Sequence, residues 1–282
     1  MESVLVKTVF GLLLIPFALS WGADPQVTCR VALVPGAFGS GTSSIFLKAE
    51  DYFKEFTAYF EKLGCDVFQV EFPPDATIEV RSLMLRDQVD RRNRMKPIAT
   101  KTWIVAHSQG GLDARFALRS LKLGGVRGLI TIGTPHQGTS LADWVIQQKS
   151  HRSFYYWVTK TFGYDLGALP FLGEMTSTFL KKHADRFSPV AGIDYFSARG
   201  RCQTHCHFGF KLLKWITGAP DGDGIVPWAS QIWGQDIGEY DLDHIQEVGV
   251  DPEKIKVRAN LLLKFGQLIT TSNSASRSMQ SR

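Results

Sequence analysis

Between Cys29 and His136 the chain alternates apolar runs with amphipathic stretches. The runs are CRVALV, CDVFQVEF, TWIVAHS and VRGLITI. Between them lie YFKEFTAYFEKLG, TIEVRSLMLRDQVDRRNRM and QGGLDARFALRSLKLGG. Short apolar runs bounded by Gly or Pro predict buried strands, and apolar residues at helical spacing predict helices. Such alternation needs right-handed crossovers, so the expected class is α/β, a mostly parallel sheet flanked by helices. GIDYFSARG predicts a later strand, and DPEKIKVRANLLLKFGQL a closing helix. With 282 residues, 44% of them hydrophobic, there is material for one large core or two small ones.

The ends read differently. Residues 1–20 combine Lys7, the apolar run VFGLLLIPFAL and the small residues Ala18 and Ser20, the layout of a cleaved secretory signal. The run is shorter than the roughly 20 residues a spanning helix needs. The expected folded unit is 21–271, and the polar tail 272–282 is expected to be disordered. A secreted or periplasmic location suits the even cysteine number. Cys29, Cys65, Cys202 and Cys206 allow three pairings. Cys29 and Cys65 each precede a strand expected to neighbour the other, which favours Cys29–Cys65 with Cys202–Cys206.

The charge of +5 carries little functional weight. Much of it lies in RDQVDRRNRMK, where Asp87 and Asp90 are interleaved. That reads as a solvated helix face rather than a nucleic-acid patch.

The third run ends in AHSQGG and a helix follows. A sharp strand-to-helix turn through Ser-x-Gly lifts a hydroxyl clear of the sheet and sets it over unpaired helix N–H groups. Ser108 is therefore the candidate nucleophile, and the Gln109 N–H a candidate oxyanion donor. A serine needs a base, and this arrangement places an acid and then a histidine later in the chain. PDGDGIVPW offers Asp221 and Asp223, and DLDHIQEV offers His244. Asp223 is preferred, because Asp-x-Ile-Val seats its carboxylate at the end of a short strand. His107 is read as structural. A second oxyanion donor is expected in LVPGAFGSG, at Ala37 or the adjacent Phe38.

On these residues the chain resembles the secreted true (triacylglycerol) lipases of bacteria, within the α/β-hydrolase superfamily. AHSQGGLDARFAL, GTPHQGTSLADWV, DGIVP, DHIQEV and VRANLLLKFG carry the likeness, over residues 30 to 267. It implies Ser108, Asp223 and His244 as triad, with Ala37 and Gln109 as oxyanion donors. It implies hydrolysis of carboxylic esters, most of all acylglycerols, with no cofactor. A soluble short-chain esterase, a polyester depolymerase and an acyltransferase share this chemistry. A non-catalytic lipid- or partner-binding protein is the contrasting class, and the full Ser, Asp and His set in order argues against it. Where the family has His-Gly this chain has Pro35-Gly36. Where many members place calcium ligands it has Gln246 and Val250, so calcium is not expected. The likeness leaves the need for a folding chaperone open, and a monomer is expected.

Two other features complete the reading. CQTHCHF could hold zinc, but in an exported chain the local disulfide is favoured. Residues 141–185 carry nine aromatics: Trp144, Phe154, Tyr155, Tyr156, Trp157, Phe162, Tyr164, Phe171 and Phe179. Placed between nucleophile and acid, they suit an inserted helical cap that contacts a lipid interface.

Overall fold

The computed structural model describes residues 27, 29–37, 51–73, 76–98, 100–148, 170–218, 220–249 and 251–280. The expected signal peptide, Phe38, Val250 and most of the aromatic insert lie outside the described residues.

The described strands are β1 (Cys29–Val34), β2 (Cys65–Gln69), β3 (Thr102–His107), β4 (Val126–Ile132), β5 (Asp194–Gly200) and β6 (Gln235–Tyr240). They form one sheet in the order β2-β1-β3-β4-β5-β6, and every neighbouring pair is parallel. The helices are α1 (Lys54–Lys62), α2 (Ile78–Met95), α3 (Gln109–Arg119), α4 (Ser140–Gln148), α5 (Pro170–Glu174), α6 (Ser177–Lys182), α7 (Phe208–Thr217) and α8 (Ile255–Gln280).

Each central strand feeds two cores. Val31 and Leu33 pack with Phe56 and Phe60 of α1 and Leu261 and Phe265 of α8. Ala32 and Val34 pack with Leu85 and Val89 of α2 and Ala114 and Ala117 of α3. Period-two alternation with both faces apolar is what a doubly covered parallel sheet requires. Each fully buried Phe or Leu contributes roughly 1.5–3 kcal/mol.

Cys29 and Cys65 are the first residues of β1 and β2, not residues ahead of them, and sit in register. Their disulfide spans a Cα–Cα distance of 4.5 Å, and Cys202–Cys206 closes at 5.6 Å. Both expected pairings are present.

Several expectations change. GIVP does not form a strand: Asp223 to Pro227 is a loop closed by an isolated bridge between Gly222 and Pro227. The sixth strand comes later, in QDIGEY, a half-exposed stretch whose apolar residues are too few to announce it. The closing helix runs on to Gln280, past the expected start of a disordered tail at 272. Just before that point the Thr270 and Thr271 hydroxyls bond back to the Gly266 and Gln267 carbonyls. The flanks of the aromatic insert are core: Ala142, Val145, Phe171, Leu172 and Leu180 pack on Leu112 and Phe116 of α3. The cap expectation therefore rests on 149–169, outside the described residues. The basic cluster is partly structural, since Arg92 and Lys96 both reach Asp66.

Candidate active site

The site assembles at the C-terminal ends of the strands. Ser108 follows β3 directly, with φ 53° and ψ −131°. A positive φ is costly for a residue with a side chain and persists only where the surroundings enforce it. Two close approaches enforce it here. A Cβ on Gly110 would lie 2.5 Å from the Val34 carbonyl oxygen, so α3 starts hard against β1. A Cβ on Gly36 would lie 2.6 Å from the Ser108 Cβ. Ala106, where the usual motif has glycine, is fully buried in β3.

His244 Nε2 lies 2.9 Å from Ser108 Oγ, and its Nδ1 lies 2.8 Å from Asp223 Oδ2. The other carboxylate oxygen, Asp223 Oδ1, accepts the N–H groups of Ile225 and Val226 at 2.8 and 2.7 Å. The His244 N–H bonds to the Asp223 carbonyl at 2.9 Å. Asp223 thus holds its own loop and the histidine together, and it is fully buried. Ser108 and His244 retain 8% and 7% exposure, whereas Asp223 retains none. Asp221 stands apart at the surface, paired with Arg201 and Lys214.

The GTPHQGTS segment anchors the acid loop. The Gln137 N–H donates to Ser230 Oγ, Thr139 Oγ1 donates to the Ile225 carbonyl, and the His136 N–H donates to the Ser230 carbonyl. Burial, reinforced by Arg115, holds His136 well below the usual histidine range. It is therefore a neutral strut between Arg115 and Thr131.

The loop carrying Gly36 and Ala37 is held from two sides. Arg81 of α2 donates to the Pro35 and Gly36 carbonyls and pairs with Asp113 of α3 at 2.7 Å, both side chains fully buried. The Gly36 N–H donates to Tyr52 Oη at 2.9 Å. Gln109 is the first residue of α3, and Ala37 is half-buried against the core that holds Leu112, Phe116 and Phe171.

Sequence reasoning missed one member of this group. Glu247, fully buried, lies 2.9 Å from His107 Nε2 and 3.8 Å from His244 Nδ1. Burial, then the neighbouring Asp223 and Asp243, pushes its carboxyl well above the usual range. The signal was present in HIQE: a carboxylate three residues after a histidine shares its face in a helical turn. His107 faces Tyr52 and Glu247. CQTHCHF holds the Cys202–Cys206 disulfide, and His207 Nδ1 lies 2.7 Å from Asp243 Oδ2.

A buried Ser–His–Asp set lies at the strand ends of a parallel sheet, with the serine on a strained strand-to-helix turn, and the fold is that of the α/β hydrolases. Triacylglycerol lipase 2 of Saccharomyces cerevisiae is 26% identical over 213 residues, covering 67% of this chain and 60% of the yeast protein. A Bacillus licheniformis lipase in its mature form matches with a TM-score of 0.62 and 21% identity, over 85% of this chain and 93% of that one. A metagenomic carboxyl esterase matches at 0.63 and 16%, over 89% and 76%. No family model matches the chain.

Proposed function

We propose that the protein is a secreted or periplasmic serine hydrolase of carboxylic esters, acting on acylglycerols. The observation that carries this reading is the continuous hydrogen-bonded line from Ser108 Oγ through His244 to Asp223, at 2.9 and 2.8 Å. His244 Nε2 takes the Ser108 proton as Oγ attacks the ester carbonyl. Asp223 keeps the proton of Nδ1 in place and stabilises the imidazolium that forms. The Ala37 and Gln109 N–H groups receive the oxyanion. Collapse expels the alcohol, which takes the proton from His244, and leaves an acyl group on Ser108. Water, deprotonated by the same histidine, then releases the acid.

Acylglycerols are favoured as substrates by the yeast relative, named for triacylglycerol hydrolysis. Two disulfides, with no free cysteine among the described residues, suit an oxidising compartment. No helix among the described residues is long and apolar enough to cross a membrane. The reading includes no cofactor and no calcium. Asp243 already accepts from Ile245, Gln246 and His207, Gln246 donates to Asp251, and the Lys254 ammonium faces Asp241, a donor set that does not fit calcium.

The test is a panel of p-nitrophenyl esters of increasing acyl length with emulsified triolein, comparing the protein with its Ser108→Ala variant. Hydrolysis that includes triolein and vanishes in the variant is expected. Turnover of short esters alone removes the acylglycerol assignment, and no turnover of any ester removes the enzyme.

A further inference from the structure

Three buried groups behind the triad have no direct part in the chemistry above. They form one line. The Gly36 N–H donates to Tyr52 Oη at 2.9 Å. The Tyr52 hydroxyl also lies 2.5 Å from His107 Nδ1 and, acting as the donor of that pair, leaves the ring nitrogen to accept. A neutral imidazole that accepts at Nδ1 carries its proton on Nε2, and this Nε2 lies 2.9 Å from Glu247 Oε2. The line ends on the turn of His244, where the Glu247 N–H bonds the Asp243 carbonyl at 3.1 Å.

The site is shaped around the glutamate. A Cβ on Gly133, after β4, would lie 2.0 Å from one carboxyl oxygen, and a Cβ on Gly200, ending β5, would lie 1.9 Å from the other. The His107 ring packs 4.6 Å from the His244 ring. A charge on either group would disturb the base. An imidazolium at His107 would oppose proton uptake by His244, and a carboxylate at Glu247 would compete with Asp223 for the Nδ1 proton. Burial, with His244 adding to it, holds His107 well below its usual range. Burial, with Asp223 and Asp243 adding to it, holds Glu247 well above its own. The line is therefore neutral along its length. Buried hydrogen bonds in series stiffen the elements they join, and only Glu247 Oε1 in this line has no partner among the described residues. His107, His244 and Glu247 together could also ligate a metal, but His244 is committed to Ser108 and Asp223, and His107 to Tyr52.

We propose that Tyr52, His107 and Glu247 are positioning residues: one hydrogen-bonded line that locks the turn bearing His244 to the loop bearing Gly36 and Ala37. It thereby sets the spacing between the general base and the oxyanion site. The role rests on the hydrolase reading, because it acts through His244 and that loop. Its energetic signature is that of a unit, so breaking it at either end should cost the same transition-state stabilisation once, not twice.

The experiment uses the full chain and the variants Tyr52→Phe, Glu247→Leu, Glu247→Gln and the Tyr52→Phe/Glu247→Leu pair. Tyr52→Phe and Glu247→Leu should each lower kcat for a p-nitrophenyl ester about tenfold, with KM within twofold. Each should weaken an alkylboronic acid, which mimics the tetrahedral intermediate, by about the same factor. The pair should be no worse than about twice either single variant. Glu247→Gln keeps an oxygen to accept the His107 N–H and should recover most of the loss. Singles that retain wild-type kcat and boronate affinity, or losses that multiply in the pair, overturn the proposal.

Nitrogen-15 spectra of histidine-labelled protein give a readout that needs no turnover. His107 should hold the Nε2–H tautomer from pH 5 to 9, and Tyr52→Phe should release it. A His107 that titrates near its ordinary midpoint, or carries its proton on Nδ1, overturns the line itself. A wild-type protein without esterase activity but with the locked tautomer sinks the hydrolase reading, and with it the positioning role, while the line itself stands.

Discussion

Two buried carboxyls, at opposite ends of the sheet, are treated in opposite ways. Asp66, at the strand starts, faces Arg30 at 2.7 Å, Arg92 at 2.5 Å and Lys96 at 3.0 Å. Burial alone would raise its pKa, but hydrogen bonds from Arg92, Arg30 and Lys96 outweigh burial and hold it well below the usual range. Glu247, at the strand ends, meets a neutral imidazole and two other acids, and its pKa is pushed well up. Beside Asp66, the Cys29–Cys65 disulfide ties the same two strands. One end of the sheet is clamped by charge and covalent bonds. At the other end a line of uncharged hydrogen bonds runs behind the triad, the buried Arg81–Asp113 pair holds the Gly36 loop, and in the proposed reaction His244 gains and loses a proton beside Asp223. The difference separates stability from chemistry along the strand axis.

That separation predicts crossed effects of substitution. At the site end, Ser108→Ala, His244→Ala and Asp223→Ala should each cut kcat by roughly a thousandfold or more, with doubles little worse than singles. Asp221→Ala should cost far less, because Asp221 lies on the surface with Arg201. Loss in Asp221→Ala and activity in Asp223→Ala would reverse the acid assignment. At the clamped end, replacing Cys29 and Cys65 by alanine should cost about 4 kcal/mol of stability, against about 2 kcal/mol for Cys202 and Cys206, from the closed-loop lengths. Urea unfolding measures both, and equal losses would show that loop closure does not govern them. Asp66→Asn should cost about 3 kcal/mol, as expected when a buried pair loses one partner, and leave kcat alone. A matching loss of activity would show that the two ends are coupled.

Much of this plan is written in local sequence. The four apolar runs specify β1 to β4: β1 and β3 are buried along their whole length, and Arg30, Asp66 and Arg127 fall at the second position of their strands, clear of the apolar stretch that follows. The elbow is legible because Ser108 and Gly110 meet a steric demand made by adjacent elements. β6 is not legible, because QDIGEY is half-exposed and holds Gly238. GIVP misleads: Val226 is buried like a strand residue, yet Ile225 and Val226 give their N–H groups to Asp223 instead of a neighbouring strand. Glu247 escapes for a related reason. Its meaning depends on Tyr52 and His107, 195 and 140 residues away in sequence, and on the space left by Gly133 and Gly200.

The pH dependence of stability should also differ between the two ends. Asp66 has a lowered folded pKa, so its contribution is present above the unfolded value near pH 4 and is lost as pH falls through the folded one. Asp66→Asn should flatten the acid limb below about pH 4. Glu247 has a raised folded pKa, so it favours the folded state at low pH and loses that contribution as pH rises above its unfolded value, about 4.3. Glu247→Gln should therefore gain on the wild type as pH rises above about 4.3, and a pH-independent difference would contradict a neutral Glu247. The smallest effect should be that of chelation: EDTA should change neither Tm nor activity. A drop reversed by calcium would reveal ligands beyond Asp241, Asp243, Gln246 and Asp251.

The central claim is that Ser108 is a nucleophile activated by His244. Its most direct measurement is peptide mass spectrometry after treatment with a fluorophosphonate. The account predicts one stoichiometric adduct, on the peptide that contains Ser108, absent in Ser108→Ala and slowed at least a hundredfold in His244→Ala. An adduct on any other residue, or labelling that survives loss of His244 at the wild-type rate, would contradict it.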